Sequence, residues 1–85
     1  MSSNQTATHG RLLAACREHG FTITADERIG ESDAAVLLGL SLGGLRNMRT
    51  LGTSPPFYRR PAGGSRISYR LDDIATWLEN GREDW

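Results

Sequence analysis

The positions of two glycines and one serine in the middle of the chain constrain the fold more than any other sequence feature. Gly39 follows the apolar run AAVLL, and Ser41 precedes a segment that ends at Gly52. In that segment apolar residues recur every three positions, at Leu42, Leu45, Met48 and Leu51. Serine is favoured just before a helix because its side chain accepts a free N–H, and glycine just after one because it adopts the left-handed conformation. The pattern predicts two short helices joined by the turn 39–41, a helix-turn-helix.

A helix start is predicted before this pair of helices, and a β-hairpin after it. Ser32 and Asp33 provide a hydrogen-bonding cap and a negative charge for the helix start. Further along, the segments FYRR and SRISYR flank a Gly-Gly pair, and the second segment alternates inward Ile67 and Tyr69 with polar residues. Alternation beside a tight turn predicts a hairpin of two short strands.

A last helix is predicted after the hairpin. Asp72 or Asp73 is placed to cap its start, and Gly81 to end it. Its apolar face consists of Ile74, Trp77 and Leu78. We expect Trp77 and Leu78 to close a core that also contains Leu37, Leu38, Leu45 and Phe57. The predicted fold class is mostly α with a small β-hairpin, a winged helix-turn-helix.

The first 31 residues carry weaker signals. Residues 1–7 are small and polar, which is typical of a disordered tail. Thr8 can cap a short helix that ends at Gly20 and faces inward through Leu12, Leu13, Ala15 and Cys16. Alternation over 21–24 weakly indicates a strand, and residues 26–30 indicate a loop. The predicted organisation is an N-terminal extension over 1–31, the winged helix-turn-helix over 32–81 and a C-terminal tail over 82–85.

The charges of the chain are segregated although its formal net charge is zero. Acidic side chains occur in residues 1–33 and 72–85, whereas residues 34–71 contain none. The basic residues of that middle segment are Arg46, Arg49, Arg59, Arg60, Arg66 and Arg70. A block of positive charge on a neutral chain indicates an anionic partner such as nucleic acid.

Composition argues against several other kinds of protein. A chain of 85 residues is too short for a deep enzyme cleft, and the longest apolar run, 34–38, is too short to cross a bilayer. The N-terminus lacks the basic and apolar blocks of a signal peptide. Cys16 has no partner for a disulfide within the chain, which fits a reducing compartment. We expect a cytoplasmic protein without a membrane or small-molecule partner.

No catalytic or metal-binding constellation is expected. Cys16 and His19 lie one helical turn apart, but zinc usually takes four ligands and the only other histidine is His9. Tyr69 is placed inward by its alternation, which disfavours a role as a recombinase nucleophile. The sequence therefore predicts a protein that is not an enzyme and requires no cofactor or metal ion.

The segment from Ser32 to Gly81 resembles a known family. The residues that carry the resemblance are Ala34 or Ala35, Leu38, Gly39, Leu40, Ser41, Leu45, Phe57, Arg66, Tyr69, Arg70, Asp73, Trp77 and Leu78. In this order they are similar to the AlpA and excisionase-like regulators of phages and mobile elements, a branch of the MerR-like winged helix superfamily. The resemblance implies a winged helix-turn-helix that binds DNA. Gly43 and Gly44 depart from it, because relatives usually carry polar side chains there.

The face of the second helix opposite its apolar stripe is the predicted reading surface. It presents Gly43, Arg46, Asn47 and Thr50, with Arg49 at its margin. Arginine bonds guanine and asparagine bonds adenine through paired hydrogen bonds, so Arg46 and Asn47 are the predicted base readers. Arg49 and Thr50 are predicted to contact phosphate.

Two further sets of contacts are predicted around that helix. The free N–H groups at its start, capped by Ser41, can meet a phosphate, and Gly43 lets the backbone approach closely. Phosphate or minor-groove contacts are predicted for the hairpin residues Arg59, Arg60, Arg66 and Arg70. The alternatives are a helix whose exposed face is only solvated and a hairpin kept soluble by its charge.

Three functions fit these patterns. The first is a sequence-specific transcription regulator of phage or mobile-element type that binds double-stranded DNA as a homodimer or at tandem sites. The second is an excisionase-like accessory protein that bends DNA in site-specific recombination. The third is a protein-interaction module that keeps the fold and no longer binds DNA.

Overall fold

The computed structural model describes residues 3–59 and 66–81, which form a mostly helical fold with one small antiparallel sheet. The elements in chain order are α1 Ser3–His19, β1 Arg28–Gly30, α2 Glu31–Leu38, α3 Leu42–Leu51, β2 Tyr58–Arg59, β3 Ile67–Arg70 and α4 Leu71–Asn80. Within these ranges, no helix combines the length and the apolar character needed to cross a membrane.

The ends of α2 and α3 follow the local signals in the sequence. Gly39 and Gly52 end these helices in the left-handed conformation, with φ of 71° and 77°. The Ser41 side chain accepts a hydrogen bond of 2.9 Å from the N–H of Gly44 at the start of α3. The predicted pair of short helices joined by the turn 39–41 is confirmed, because every one of these signals acts within a few residues of its partner.

The predicted caps of α2 and α4 are wrong. The N-cap residues are Gly30 and Arg70, and neither helix start has a side-chain cap. The strands β1 and β3 run directly into the two helices, so each helix begins before its expected cap. The four residues predicted as caps, Ser32, Asp33, Asp72 and Asp73, therefore lie inside the first turns. The three aspartates still favour these helix starts through the helix dipole.

The sheet has the strand order β1-β3-β2 and is antiparallel throughout. The predicted hairpin strands are confirmed as β2 and β3, with Arg59 opposite Ile67. Arg60 and the predicted Gly-Gly turn lie outside the described residues. The loop predicted over 26–30 is wrong for β1, in which Ile29 pairs with Tyr69. No strand forms over 21–24.

The N-terminal helix is longer than predicted. It begins at Ser3, so the disordered tail is wrong for residues 3–7, and Thr8 lies within the helix rather than at its cap. The Thr8 hydroxyl donates to Glu79 Oε2 at 2.7 Å, and Gln5 Nε2 donates to Thr76 Oγ1 at 2.6 Å. Because α1 packs along α4, tertiary contacts stabilise a first turn that the local sequence does not favour.

The core lies between α1, α4, the two central helices and the inner face of the sheet. Its largest fully buried side chains include Cys16, Ile29, Leu45, Tyr69, Leu71 and Ile74. Leu12 is buried as predicted, while Leu13, Leu37, Leu38 and Leu78 pack against the core at its margin. Residues 3–30 thus contribute to the same core as the rest of the chain.

Three apolar residues that the sequence patterns placed inward lie outside the core. Leu51 is 66% exposed at the end of α3, and Phe57, just before β2, is 38% exposed. Trp77 is only half-buried and lines open grooves. The buried face of α4 follows the spacing i, i+3, i+4, i+7, which Leu71, Ile74, Ala75 and Leu78 occupy and Trp77 does not. The small residue Ala75 takes the place expected for the indole.

This arrangement predicts a large difference between two alanine substitutions in α4. Ile74→Ala lowers the free energy of unfolding by about 2–5 kcal/mol, because it leaves a cavity at a fully buried site. Trp77→Ala costs less, because the indole is only partly buried and lies outside the buried face of α4. Urea denaturation followed by far-UV circular dichroism measures both variants, and a larger loss for Trp77→Ala would contradict this view of the core.

Candidate nucleic-acid interface

A buried carboxylate holds α2, α3 and the sheet together beside the predicted reading surface. The Glu31 side chain is only 10% exposed at the start of α2. Arg49 of α3 donates to its two oxygens, from Nε at 2.8 Å and from Nη2 at 3.2 Å. The Tyr69 hydroxyl of β3 donates to Glu31 Oε2 at 2.8 Å. One carboxylate therefore fixes the position of α3 against the base of the hairpin.

The electrostatics of this cluster favour an ionised Glu31. Burial by itself raises the pKa of Glu31, but hydrogen bonds from Arg49 and Tyr69 and the nearby arginine charges outweigh burial and lower it. Burial and the hydrogen bond to Glu31 raise the pKa of Tyr69 to about 12. The pKa of Arg49 is also raised, first by its hydrogen bond to Glu31. The cluster is thus an ion pair with one neutral hydroxyl donor.

Arg49, which the sequence predicts to contact phosphate, is engaged in contacts within the protein. Its side chain is 19% exposed, and its guanidinium carbon lies 5.6 Å from the centroid of the Phe57 ring. The edge of the planar guanidinium thus donates to Glu31, and its face lies against the Phe57 ring. Arg49 therefore offers a phosphate only those N–H groups that Glu31 does not use, on a side chain that is largely shielded from solvent.

The other residues of the predicted reading surface lie on the open side of α3. Gly43, Arg46, Asn47 and Thr50 are all exposed. The Arg46 side chain is 62% exposed, and its Nε is 3.6 Å from Glu31 Oε1. The Thr50 hydroxyl donates to the backbone carbonyl of Arg46 at 3.1 Å. Arg46 and Asn47 are therefore the long polar side chains that this face offers to a partner.

The two glycines at the start of α3 differ in their surroundings. A Cβ added at Gly43 would meet no atom within 4 Å, so this position leaves the exposed backbone open to a partner. A Cβ added at Gly44 would lie 3.1 Å from Ser41 Oγ, close enough to disturb the cap. The Gly44 N–H already donates to Ser41, which leaves the earlier N–H groups of the helix for an anion.

The hairpin arginines also fall into two groups. Arg59 and Arg66 are exposed and form no ion pair with the described residues. Arg70 is 39% exposed, and its Nη2 lies 3.5 Å from Asp72 Oδ2. Arg60 lies outside the described residues. Of the described hairpin arginines, Arg59 and Arg66 are the ones with uncompensated charge.

A third arginine that the sequence did not indicate joins these two. Arg28 of β1 lies opposite Arg70 of β3, and its guanidinium carbon is 5.2 Å from the centroid of the Tyr58 ring. Its Nε also pairs with Asp26 Oδ2 at 2.9 Å. Arg28, Arg59 and Arg66 line one groove, whose other polar side chains come from Thr22, Thr24, Asp33, Tyr58 and Ser68. Sequence analysis missed Arg28 because β1 was assigned to a loop.

Comparison of the chain with protein-family models, with curated proteins and with solved structures finds no match. The assignment of function therefore depends on the residues and their geometry.

The Glu31 cluster predicts a pH-dependent stability. Glu31→Gln lowers the free energy of unfolding at pH 7 by about 1.5–3 kcal/mol, because it weakens hydrogen bonds between charged groups. The folded-state pKa of Glu31 is lowered, so its contribution is present above the pKa of the unfolded chain and is lost as pH falls through the folded-state pKa.

The difference between wild type and Glu31→Gln is therefore constant from about pH 7 to about pH 5.5 and shrinks below about pH 4.5. Urea denaturation at several pH values measures it. Glu18→Gln, an exposed glutamate of α1, is the matched control and leaves stability nearly unchanged. Equal effects of the two substitutions would contradict the role given to Glu31.

Proposed function

We propose that this protein is a sequence-specific DNA-binding transcription regulator with a winged helix-turn-helix, of the type found on phages and mobile elements. The observation that carries the proposal is the exposed face of α3, which presents Arg46 and Asn47 on a helix that the buried Leu45 and the ion pair of Arg49 anchor to the rest of the fold. A rigid helix with a free polar face is what the major groove accepts.

In this proposal α3 is the recognition helix. Arg46 bonds the O6 and N7 atoms of a guanine, and Asn47 bonds the N6 and N7 atoms of an adenine. Gly43 has open space on its exposed side, so the start of α3 can approach the phosphate backbone without steric conflict. The spacing of the two side chains, adjacent in sequence, suits neighbouring base pairs.

The hairpin is the wing, and it supplies affinity rather than base recognition. Arg59 and Arg66 are free to bind phosphates or a narrow minor groove. Arg49 and Arg70 contribute less, because Glu31 and Asp72 already compensate their charges. The number of arginines available to DNA is therefore smaller than the number in the sequence segment 34–71.

The salt dependence of DNA binding tests this division of the arginines. Neutralisation of three phosphates by Arg46, Arg59 and Arg66 gives a slope of log affinity against log salt of roughly −3, and added contacts from Arg60 and Arg70 steepen it to about −4.5. Fluorescence anisotropy on a labelled duplex at several salt concentrations measures the slope. Absence of binding at low salt would contradict DNA binding and favour a protein-interaction module.

Two alanine substitutions separate base recognition from phosphate contact. Arg46→Ala weakens binding to the protein's specific DNA site by about 1–3 kcal/mol and has little effect on binding to a duplex of random sequence. Arg66→Ala weakens both by similar amounts and reduces the salt slope by about one unit. Arg17→Ala, at an exposed arginine of α1, controls for the loss of one charge. Equal losses on both duplexes for Arg46→Ala would show that α3 does not read bases.

The output of binding depends on where the sites lie. Sequencing of genomic fragments retained by the protein identifies them. Sites that overlap promoters support a regulator, whereas tandem sites beside a recombination attachment region would make the protein an excisionase-like factor.

A further inference from the structure

Three potential metal ligands from distant parts of the chain converge at the junction of α1, β1 and α4. They are His9 of α1, Glu27 just before β1, and Asp72 in the first turn of α4. His9 Nε2 lies 2.6 Å from Glu27 Oε1 and 3.4 Å from Asp72 Oδ1. All three ligand atoms lie within 4.8 Å of one another. The imidazole and Glu27 are half-buried, while Asp72 is open to solvent.

The backbone and the packing of the helices bring these three residues together. Glu27 has a φ of 60°, in the left-handed region that non-glycine residues rarely adopt. Its carbonyl accepts a hydrogen bond of 2.9 Å from the N–H of Leu71, next to Asp72. The packing of α1 along α4 brings His9 to the same point. The three ligands are thus presented by a framework that is already assembled.

We propose that His9, Glu27 and Asp72 bind a divalent transition metal ion of the zinc class. Three protein ligands with water in the remaining position are the pattern of an open zinc site. Zinc–ligand bonds of about 2.1 Å place the atoms of a tetrahedral site about 3.4 Å apart. The separation between His9 and Asp72 already matches this spacing, and the gap between His9 and Glu27 has to widen from 2.6 Å to reach it.

The ligand set determines which ions bind. An imidazole nitrogen favours Zn²⁺, Ni²⁺ or Cu²⁺, whereas Mg²⁺ and Ca²⁺ favour sites made of oxygen alone. The Cys16–His19 pair is not part of the site, because Cys16 is fully buried and the His19 ring stacks on Phe21 with 5.0 Å between the centroids. Sequence spacing did not reveal the His9 site because its ligands come from three separate elements.

Zinc binding is tested by calorimetric titration of the full, untagged chain with ZnCl₂ in a buffer that does not chelate metal ions. We expect one ion per chain and a rise in melting temperature with Zn²⁺ that Mg²⁺ does not produce, because the ion binds only the folded state. We expect His9→Gln and Asp72→Asn each to weaken zinc binding by at least about 10- to 100-fold. Loss of a residue that only supports a metal ligand already has an effect of this size, and these two residues are proposed as ligands themselves.

Matched variants separate this result from a general effect of charge or folding. Asp73→Asn changes the neighbouring aspartate in the same helical turn, and His19→Gln removes the other histidine. Both keep full zinc affinity. Circular dichroism without metal verifies that each variant is folded.

NMR of the histidine rings tests the proposed site on the wild-type chain. Addition of Zn²⁺ shifts the NMR ring signals of His9 and leaves those of His19 unchanged. The proposal is overturned if millimolar Zn²⁺ does not bind, if the two control variants lose as much affinity as His9→Gln, or if only the His19 signals move.

Discussion

The buried carboxylate of Glu31 is the constraint on which the proposed interface depends. Removing an ionised group from water is costly unless it is paired and hydrogen-bonded, and here Arg49 and Tyr69 supply three short hydrogen bonds to it. Those partners belong to α3 and β3, so satisfying one charge fixes α3 relative to the hairpin. A neutral apolar contact could slide, because hydrophobic attraction has no direction. A planar guanidinium paired with a carboxylate cannot slide in this way, because two parallel hydrogen bonds fix the relative orientation of the groups.

The same ion pair reduces the number of unpaired arginines in the basic segment 34–71. Residues 34–71 contain six arginines and no acidic side chain, but Glu31 lies just before that segment and Asp72 just after it. Each of these acids folds back onto an arginine of the block, Arg49 in one case and Arg70 in the other. The free positive charge is therefore concentrated on α3 and the exposed part of the hairpin. Counting charges along the sequence overstates the number of unpaired arginines and does not show where they lie.

How much of the structure could be predicted depended on how local each signal was. Gly39, Ser41 and Gly52 act within one helical turn, and the helix ends that they predict are correct. β1 and the first turn of α1 are stabilised by β3 and α4, which lie elsewhere in the chain. No local sequence pattern predicts these two elements. The exposed face of α3 followed from periodicity alone. The involvement of Arg49 with Glu31 and the approach of Arg28 to the hairpin required the tertiary structure.

The N-terminal segment has consequences beyond adding to the core. Its strand β1 brings Arg28 into the groove that Arg59 and Arg66 line, although Asp26 already compensates the charge of Arg28. The residue before it, Glu27, meets His9 and Asp72. Asp72 is shared, because its Oδ1 lies 3.4 Å from His9 and its Oδ2 lies 3.5 Å from Arg70. Through Asp72, the proposed metal site therefore borders Arg70 at the end of β3.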